Sequence, residues 1–176
     1  TSGAFAEVGW VRVAPFGRVE GLRWNIADAD DDPDILSELT WSRLWALGIE
    51  ADVTVPAGAL ELRGSGRAGW ILAGDNRDSD YTLDDRGDEW SRSDNDASGG
   101  LVWDLSAAVG YRLQPARRHR LVPLLGVEVG QRRLRMTDGY QTIPDTGPFP
   151  PDQELDSRYV ATLWGAWAGA EALFDT

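Results

Sequence analysis

Several residue types that common kinds of site require are missing or rare in this sequence. It contains no cysteine, which excludes disulfide bonds and thiolate chemistry. Its single histidine, His119, leaves the commonest metal ligand and general base nearly absent. No stretch approaches the roughly eighteen consecutive apolar side chains that indicate a transmembrane helix. We therefore expect no metal centre and no cofactor, and contact with lipid would have to come from strands.

Positive charge is scarce as well. The 176 residues include no lysine, and the formal net charge is −12. Because nucleic acids are bound through basic surfaces, this balance argues against a nucleic-acid partner.

The most informative pattern that is present is an alternation from Glu38 to Val55. Over this stretch the odd positions are mostly apolar and include Trp41, Trp45 and Leu47, whereas the even positions are mostly polar or small. Successive side chains of a β-strand point to opposite faces, so one face is predicted to be apolar. Strands of globular proteins usually have about 3–10 residues. A longer strand that is apolar on one side predicts a sheet with lipid on one face and water or a polar lumen on the other.

Five further segments alternate in a similar way. Together they predict six long strands, at 3–26, 38–55, 59–74, 99–113, 120–136 and 158–173. In the fourth, Trp103 and Leu105 are predicted to face lipid, as Trp41, Trp45 and Leu47 are in the second. Two connections are short, and three are predicted to be long outer loops, at 27–37, 75–98 and 137–157. Short turns at one end and long loops at the other are typical of outer-membrane barrels.

These features predict a single domain, 1–176, with an all-β, antiparallel, up-and-down transmembrane β-barrel fold. Its expected location is the outer membrane of a Gram-negative bacterium. Single-chain barrels of this kind begin at about eight strands. We therefore expect further strands beyond residue 176, with closure by a second chain as the less favoured alternative. A soluble barrel of the lipocalin type is the alternative fold, although it would have shorter strands with the apolar side chains inside.

Negative charge is concentrated in the predicted outer loops. Segments 28–34, 75–96 and 138–156 hold 19 of the 29 acidic residues. Such an acidic rim attracts cationic peptides or divalent cations. The run from Ala27 to Asp34 superficially resembles a calcium loop, but it lacks the glycine and the final glutamate of an EF-hand. A solvated acidic loop is the favoured interpretation.

Asp78 and Asp80 are the candidate catalytic residues. They flank Ser79, so in an extended backbone both carboxylates project to the same face. Two carboxylates held close together repel each other, which raises the pKa of one and lets the pair activate a water molecule. The alternative, favoured on composition alone, is that they brace the loop through ion pairs with Arg77, Arg86 and Arg92.

The chain resembles the omptins, outer-membrane aspartyl-type proteases built on a barrel of about ten strands. The resemblance is carried by LRWN at 22–25, LSELTW at 36–41, DSDY at 78–81 and EWSRSD at 89–94. It implies that Asp78 and Asp80 form half of the catalytic site of an endopeptidase acting on cationic peptides. In omptins an Asp–His pair in a later loop, beyond the sixth strand, supplies the other half. Omptins also carry a histidine soon after the tryptophan of the second long loop, and this chain has none there.

The resemblance further implies contact with lipopolysaccharide. Omptins bind it through basic side chains near the loop boundary, and the comparable cluster here is Arg132, Arg133 and Arg135. Guanidinium groups recognise phosphate through paired hydrogen bonds. Neutralisation of the adjacent acidic loops is an equally acceptable role for this cluster.

Two functions therefore stay open. The first is a surface endopeptidase, and the second is a non-catalytic structural or adhesive outer-membrane barrel with acidic extracellular loops. A small pore is less favoured, because several charged side chains would pair across a narrow lumen and block it: Glu50, Asp52, Arg63 and Arg67.

Overall fold

Nine antiparallel strands form a single sheet in a computed structural model that describes residues 9–27, 33–116 and 119–174. They are β1 (Trp10–Ile26), β2 (Ser37–Ala57), β3 (Leu60–Leu83), β4 (Gly87–Asp96), β5 (Leu101–Tyr111), β6 (Leu113–Ala116), β7 (His119–Ile143), β8 (Asp145–Pro148) and β9 (Asp156–Phe174). A short 3₁₀ turn spans Pro151–Gln153. None of the described residues belongs to a helix with the length and apolarity needed to cross a membrane.

The long strands follow one another as an up-and-down meander. β3 pairs with β5 along its first part and with β4 along its second part. The opposite edges of β4 and β5 both pair with β7. β4 and β5 therefore act as one interrupted strand, and β9 completes the sheet beside β7. The predicted all-β, antiparallel order is confirmed. Within the described residues β1 and β9 each have one neighbour, so hydrogen bonds do not close the sheet into a barrel.

Most of the predicted long outer loop 75–98 is a β-hairpin. β3 continues to Leu83 and β4 returns from Gly87, which leaves only residues 84–86 as the turn. Within this turn the Gly87 N–H donates to Asp84 O at 3.0 Å, and the two residues between them, Asp85 and Arg86, have the positive φ of a type I′ turn, 55° and 61°. Polar cross-strand pairs such as Arg77 with Asp94 stabilise this hairpin. The polar composition of this segment therefore led to the prediction of a loop where β3 continues and β4 lies.

Much of the predicted loop 137–157 is also strand. β7 runs on to Ile143, and β8 turns back to pair with it. We call this end of the sheet, which carries both hairpins, the hairpin end. Of the first predicted loop, 28–32 lies outside the described residues, as do 3–8 of the first predicted strand.

A β-bulge at Arg43 interrupts the alternation of β2. Arg43 has φ 51°, and three residue steps on β2, from Trp41 to Leu44, stand opposite two on β1, from Leu22 to Glu20. One extra residue reverses which parity faces inward. Trp41 is consequently 1% exposed, and its predicted contact with lipid is wrong.

The buried side chains form a cluster on the inner face, which we call the apolar layer: Leu39, Trp41, Leu44, Ala46, Ile71, Ala97, Val102, Leu134 and Met136. The Tyr159 ring of β9 stands edge-on to the Trp41 ring, with 5.2 Å between centroids, and to the Trp24 ring of β1, at 6.3 Å. Because β1 and β9 are not neighbours in the sheet, these contacts show that the sheet curls around a shared interior.

The outer face carries an apolar belt beyond the bulge. On β2 it runs from Trp45, which is 59% exposed, to Val55. This stretch contains eleven residues, counting both ends, which matches the roughly 9–11 residues of a tilted transmembrane strand. Neighbouring strands extend the belt with exposed side chains that include Leu60, Leu62, Trp70, Leu72, Leu105, Val109, Leu125 and Val127. Leu47 and Leu105 are exposed on this face and Trp103 is partly buried, while their contact with lipid stays a prediction.

Candidate functional site

Asp78 and Asp80 share the inner face of β3 near the hairpin end. Asp78 stands opposite Leu39, which is buried in the apolar layer, and Asp80 stands opposite Ser37. The Ser37 hydroxyl donates a hydrogen bond to Asp78 Oδ1, with 3.3 Å between the oxygens. β3 thus brings the two predicted carboxylates to one surface, and β2 supplies a hydroxyl beside them.

The environment of Asp78 disfavours its charged form. Burial raises the pKa of Asp78, the nearby charge of Asp80 raises it further, and the hydrogen bond from Ser37 partly offsets both. Burial also raises the pKa of Tyr159, and the charge of Asp78 adds to that shift. Such a carboxyl group can hold a proton that an ordinary exposed aspartate would release.

The arginines expected to pair with Asp78 and Asp80 bind other acids instead. Arg77 Nε lies 2.8 Å from Asp94 Oδ1, Arg86 Nη2 lies 2.6 Å from Glu38 Oε2, and Arg92 pairs with Glu89. Alternation explains the first case, because Arg77 points away from the face that Asp78 occupies. These arginines therefore brace the β3–β4 hairpin without neutralising the aspartate pair.

A histidine partner for the aspartates is not available within this chain. His119 begins β7 at the end remote from the hairpins, where it stands opposite Phe174. In the described ranges, no three His, Cys, Asp or Glu side chains lie close enough together to hold a metal ion.

The predicted arginine cluster is divided between the two faces of β7. Arg132 faces the interior, on the same side as Leu134, so its predicted contact with lipid phosphate is wrong. Arg133 and Arg135 point outward, and Arg135 Nη2 lies 2.9 Å from Asp156 Oδ1. Sequence proximity suggested one cluster, whereas strand alternation separates its members. A phosphate-binding role for the outward pair stays a prediction.

Sequence reasoning missed a closed ring of ion pairs across the interior. Arg18 Nη1 and Arg132 Nη1 each lie 2.7 Å from a different oxygen of Asp104. On the other side, Glu20 lies 3.2 Å from Arg18 Nη2 and 3.1 Å from Arg132 Nε. The ring joins β1 to β5 and to β7, and neither of these two strands is a neighbour of β1 in the sheet. Asp104 and Arg132 occupy the polar parity of their strands, whereas Arg18 and Glu20 share the parity of Trp10, Leu22 and Trp24. The sequence pattern therefore indicated only half of the ring.

The four charges predicted to block a narrow lumen are paired, although not with one another. Arg63 binds Glu61 and Glu171, and Arg67 approaches Asp104. Glu50 and Asp52 both bind Arg12 of β1.

Long antiparallel strands, an outward apolar belt and a charged interior are together the features of an outer-membrane β-strand protein. Residues 16–176 match the model of one protein family, described as Pom: Protochlamydia outer membrane protein. The match spans most of the chain, which therefore belongs to this family and is an outer-membrane protein of a Gram-negative bacterium. A search of curated proteins found no match. The resemblance to omptins stays a prediction.

Proposed function

We propose that this protein is a structural or adhesive outer-membrane barrel, without catalytic activity, that presents acidic β-hairpins at the cell surface. The observation that carries the proposal is the filled interior. Asp104 of the ion-pair ring lies between Trp103 and Leu105, so the ring is at the level of the apolar belt. The apolar layer lies next to it, toward the hairpin end. Such an interior favours a scaffold over a channel.

The β3–β4 hairpin supports a role at the surface. It extends past the bulge at Arg43, and Arg86 ties it to Glu38 of β2. Inside the hairpin, Asn95 Nδ2 donates to Asn76 Oδ1 at 2.8 Å. A hairpin fixed in this way can present its exposed acidic turn without a large ordering cost on binding, and its charge favours cationic partners.

Conductance across a planar lipid bilayer tests the proposal. We expect the inserted protein to give no stepwise ion current, because the ring and the apolar layer fill the interior. Regular current steps would contradict the proposal.

Insertion and orientation can be verified with single-cysteine variants, since the chain has no cysteine of its own. Thr146→Cys, in β8, should react with a membrane-impermeant maleimide on intact cells. The matched variant Ala59→Cys, in the β2–β3 turn, should react only after the outer membrane is permeabilised. Both positions are exposed.

An omptin-like endopeptidase is the second candidate function. The aspartate pair supports it, because both carboxylates face inward and the pKa of Asp78 is raised. In this alternative Asp78 and Asp80 position and activate water, and the acidic hairpins select cationic peptides.

Cleavage of a dibasic fluorogenic peptide distinguishes the two functions. If the endopeptidase proposal holds, Asp78→Asn and Asp80→Asn lower the rate by about 10²–10⁴-fold, the usual contribution of a general acid or base. Asp94→Asn is the matched control, because Asp94 belongs to the same hairpin but pairs with Arg77. Equal rates for wild type and all three variants would remove the aspartate pair from any mechanism.

A further inference from the structure

An apolar groove indents the outer face near the end of the belt closest to the hairpins. It has a volume of 510 Å³ and is lined by Gly17, Val19, Trp45, Leu47 and Leu72, among others. Gly17 stands opposite Leu47, and a Cβ added there would approach no atom closer than 3.9 Å. The missing side chain leaves open space beside Trp45. The volume is within the range of about 300–1,000 Å³ typical of ligand pockets.

A polar depression lies directly beyond this groove. Its volume is 620 Å³, and the charged side chains of its lining are four arginines and three acids: Arg23, Arg43, Arg77, Arg92, Glu38, Asp75 and Asp94. The outward positions of β1 run from Gly17 through Val19 and Gly21 to Arg23. On β2, the bulge residue Arg43 comes two positions before Trp45. The apolar groove and the polar depression are therefore separate cavities that follow one another along β1 and β2.

The depression keeps positive charge available to a ligand. Arg43 is 74% exposed, and its Nε and Nη2 lie 2.8 Å and 2.7 Å from Asp75 Oδ2. Arg23 is 60% exposed and lies 3.8 Å from Glu38, which Arg86 already binds at 2.6 Å. A guanidinium group has five N–H donors, so these pairs leave donors free for an anion.

We propose that the groove and the depression together bind one phosphate-bearing membrane lipid. Its acyl chain lies along Gly17 against Trp45, and its phosphate accepts hydrogen bonds from Arg23 and Arg43. The site requires the outer-membrane location and is independent of whether the protein conducts ions or cleaves peptides. Charge complementarity selects the occupant, because a groove within a lipid-facing belt ends at exposed guanidinium groups.

Lipid binding to the purified full chain in uncharged detergent tests this inference. The probes are phosphatidic acid, diacylglycerol with the same acyl chains, and inorganic phosphate, each measured by native mass spectrometry. We expect phosphatidic acid to bind most tightly. Joint replacement Arg23→Gln and Arg43→Gln should weaken it by about tenfold to a hundredfold, since hydrogen bonds to charged groups are lost. Gly17→Leu, which fills the groove, should weaken it while both arginines remain.

The control is Arg158→Gln, which removes an exposed, outward arginine from β9. This control should bind phosphatidic acid as wild type does. The inference is overturned if phosphatidic acid and diacylglycerol bind equally, if inorganic phosphate alone binds as tightly, or if the control loses as much affinity as the groove variants. Unchanged heat-modifiable migration on a denaturing gel verifies that each variant has folded.

Discussion

Replacing Trp41 with alanine should lower the free energy of unfolding by about 3–5 kcal/mol, the usual cost of removing a large buried aromatic side chain. Trp41 is 1% exposed and packs against Tyr159, whose ring also contacts β1. Its loss leaves a cavity in the apolar layer and weakens the contact between the first and last strands. Urea titration in lipid vesicles, followed by circular dichroism, measures the effect.

Trp45→Ala is the matched control for this prediction. The two tryptophans belong to the same strand and the same parity, but the bulge at Arg43 turns Trp45 outward. Its replacement exchanges one surface contact for another and should cost clearly less. Equal losses for the two variants, or a larger loss for Trp45→Ala, would contradict the described orientation of β2.

Replacing Asp104 with alanine should destabilise the protein, with an upper limit of about 3–5 kcal/mol set by fully buried ion pairs, because it removes one partner from pairs that are largely shielded from water. Asp104 is bound by Arg18 and Arg132, whose side chains are 19% and 12% exposed. Without Asp104, Glu20 is the acid of the ring that still pairs with Arg18 and Arg132. The same urea titration measures it.

Asp156→Ala is the control for the ring. Asp156 also binds two arginines, Arg135 and Arg158, but it is 49% exposed. Solvent screens such pairs, and their contribution is usually about 0–1 kcal/mol. A loss for Asp104→Ala as small as that for Asp156→Ala would show that the ring does not stabilise the curled sheet.

Alternation predicted the central part of most long strands, because the outward side chains of the apolar belt occupy every second position there. The strand ends beyond the belt were missed for a physical reason. There, pairs such as Arg77 with Asp94 replace apolar pairs, so the strand leaves no hydrophobic pattern. The bulge at Arg43 was missed because arginine at positive φ has no characteristic sequence signal, unlike glycine.

The candidate site was predictable only where local geometry decides it. Asp78 and Asp80 share a face because they are two residues apart on a strand, and that holds whatever the tertiary structure. The partners of Arg77, Arg86 and Arg92 depend on register and turn, which the sequence did not specify. The ring of Arg18, Glu20, Asp104 and Arg132 needs the curvature of the whole sheet, because its members come from three separate strands.

Because of the bulge at Arg43, the two parts of β2 turn their apolar side chains to opposite faces of the sheet. Apolar residues occupy odd positions both before it, at Leu39 and Trp41, and after it, at Trp45 and Leu47. One inserted residue sends the first pair inward, as in a water-soluble sheet, and the second pair outward, as in a membrane sheet. One inserted residue therefore separates a part of β2 with an apolar inner face from a part with an apolar outer face, with no change in the hydrophobic pattern.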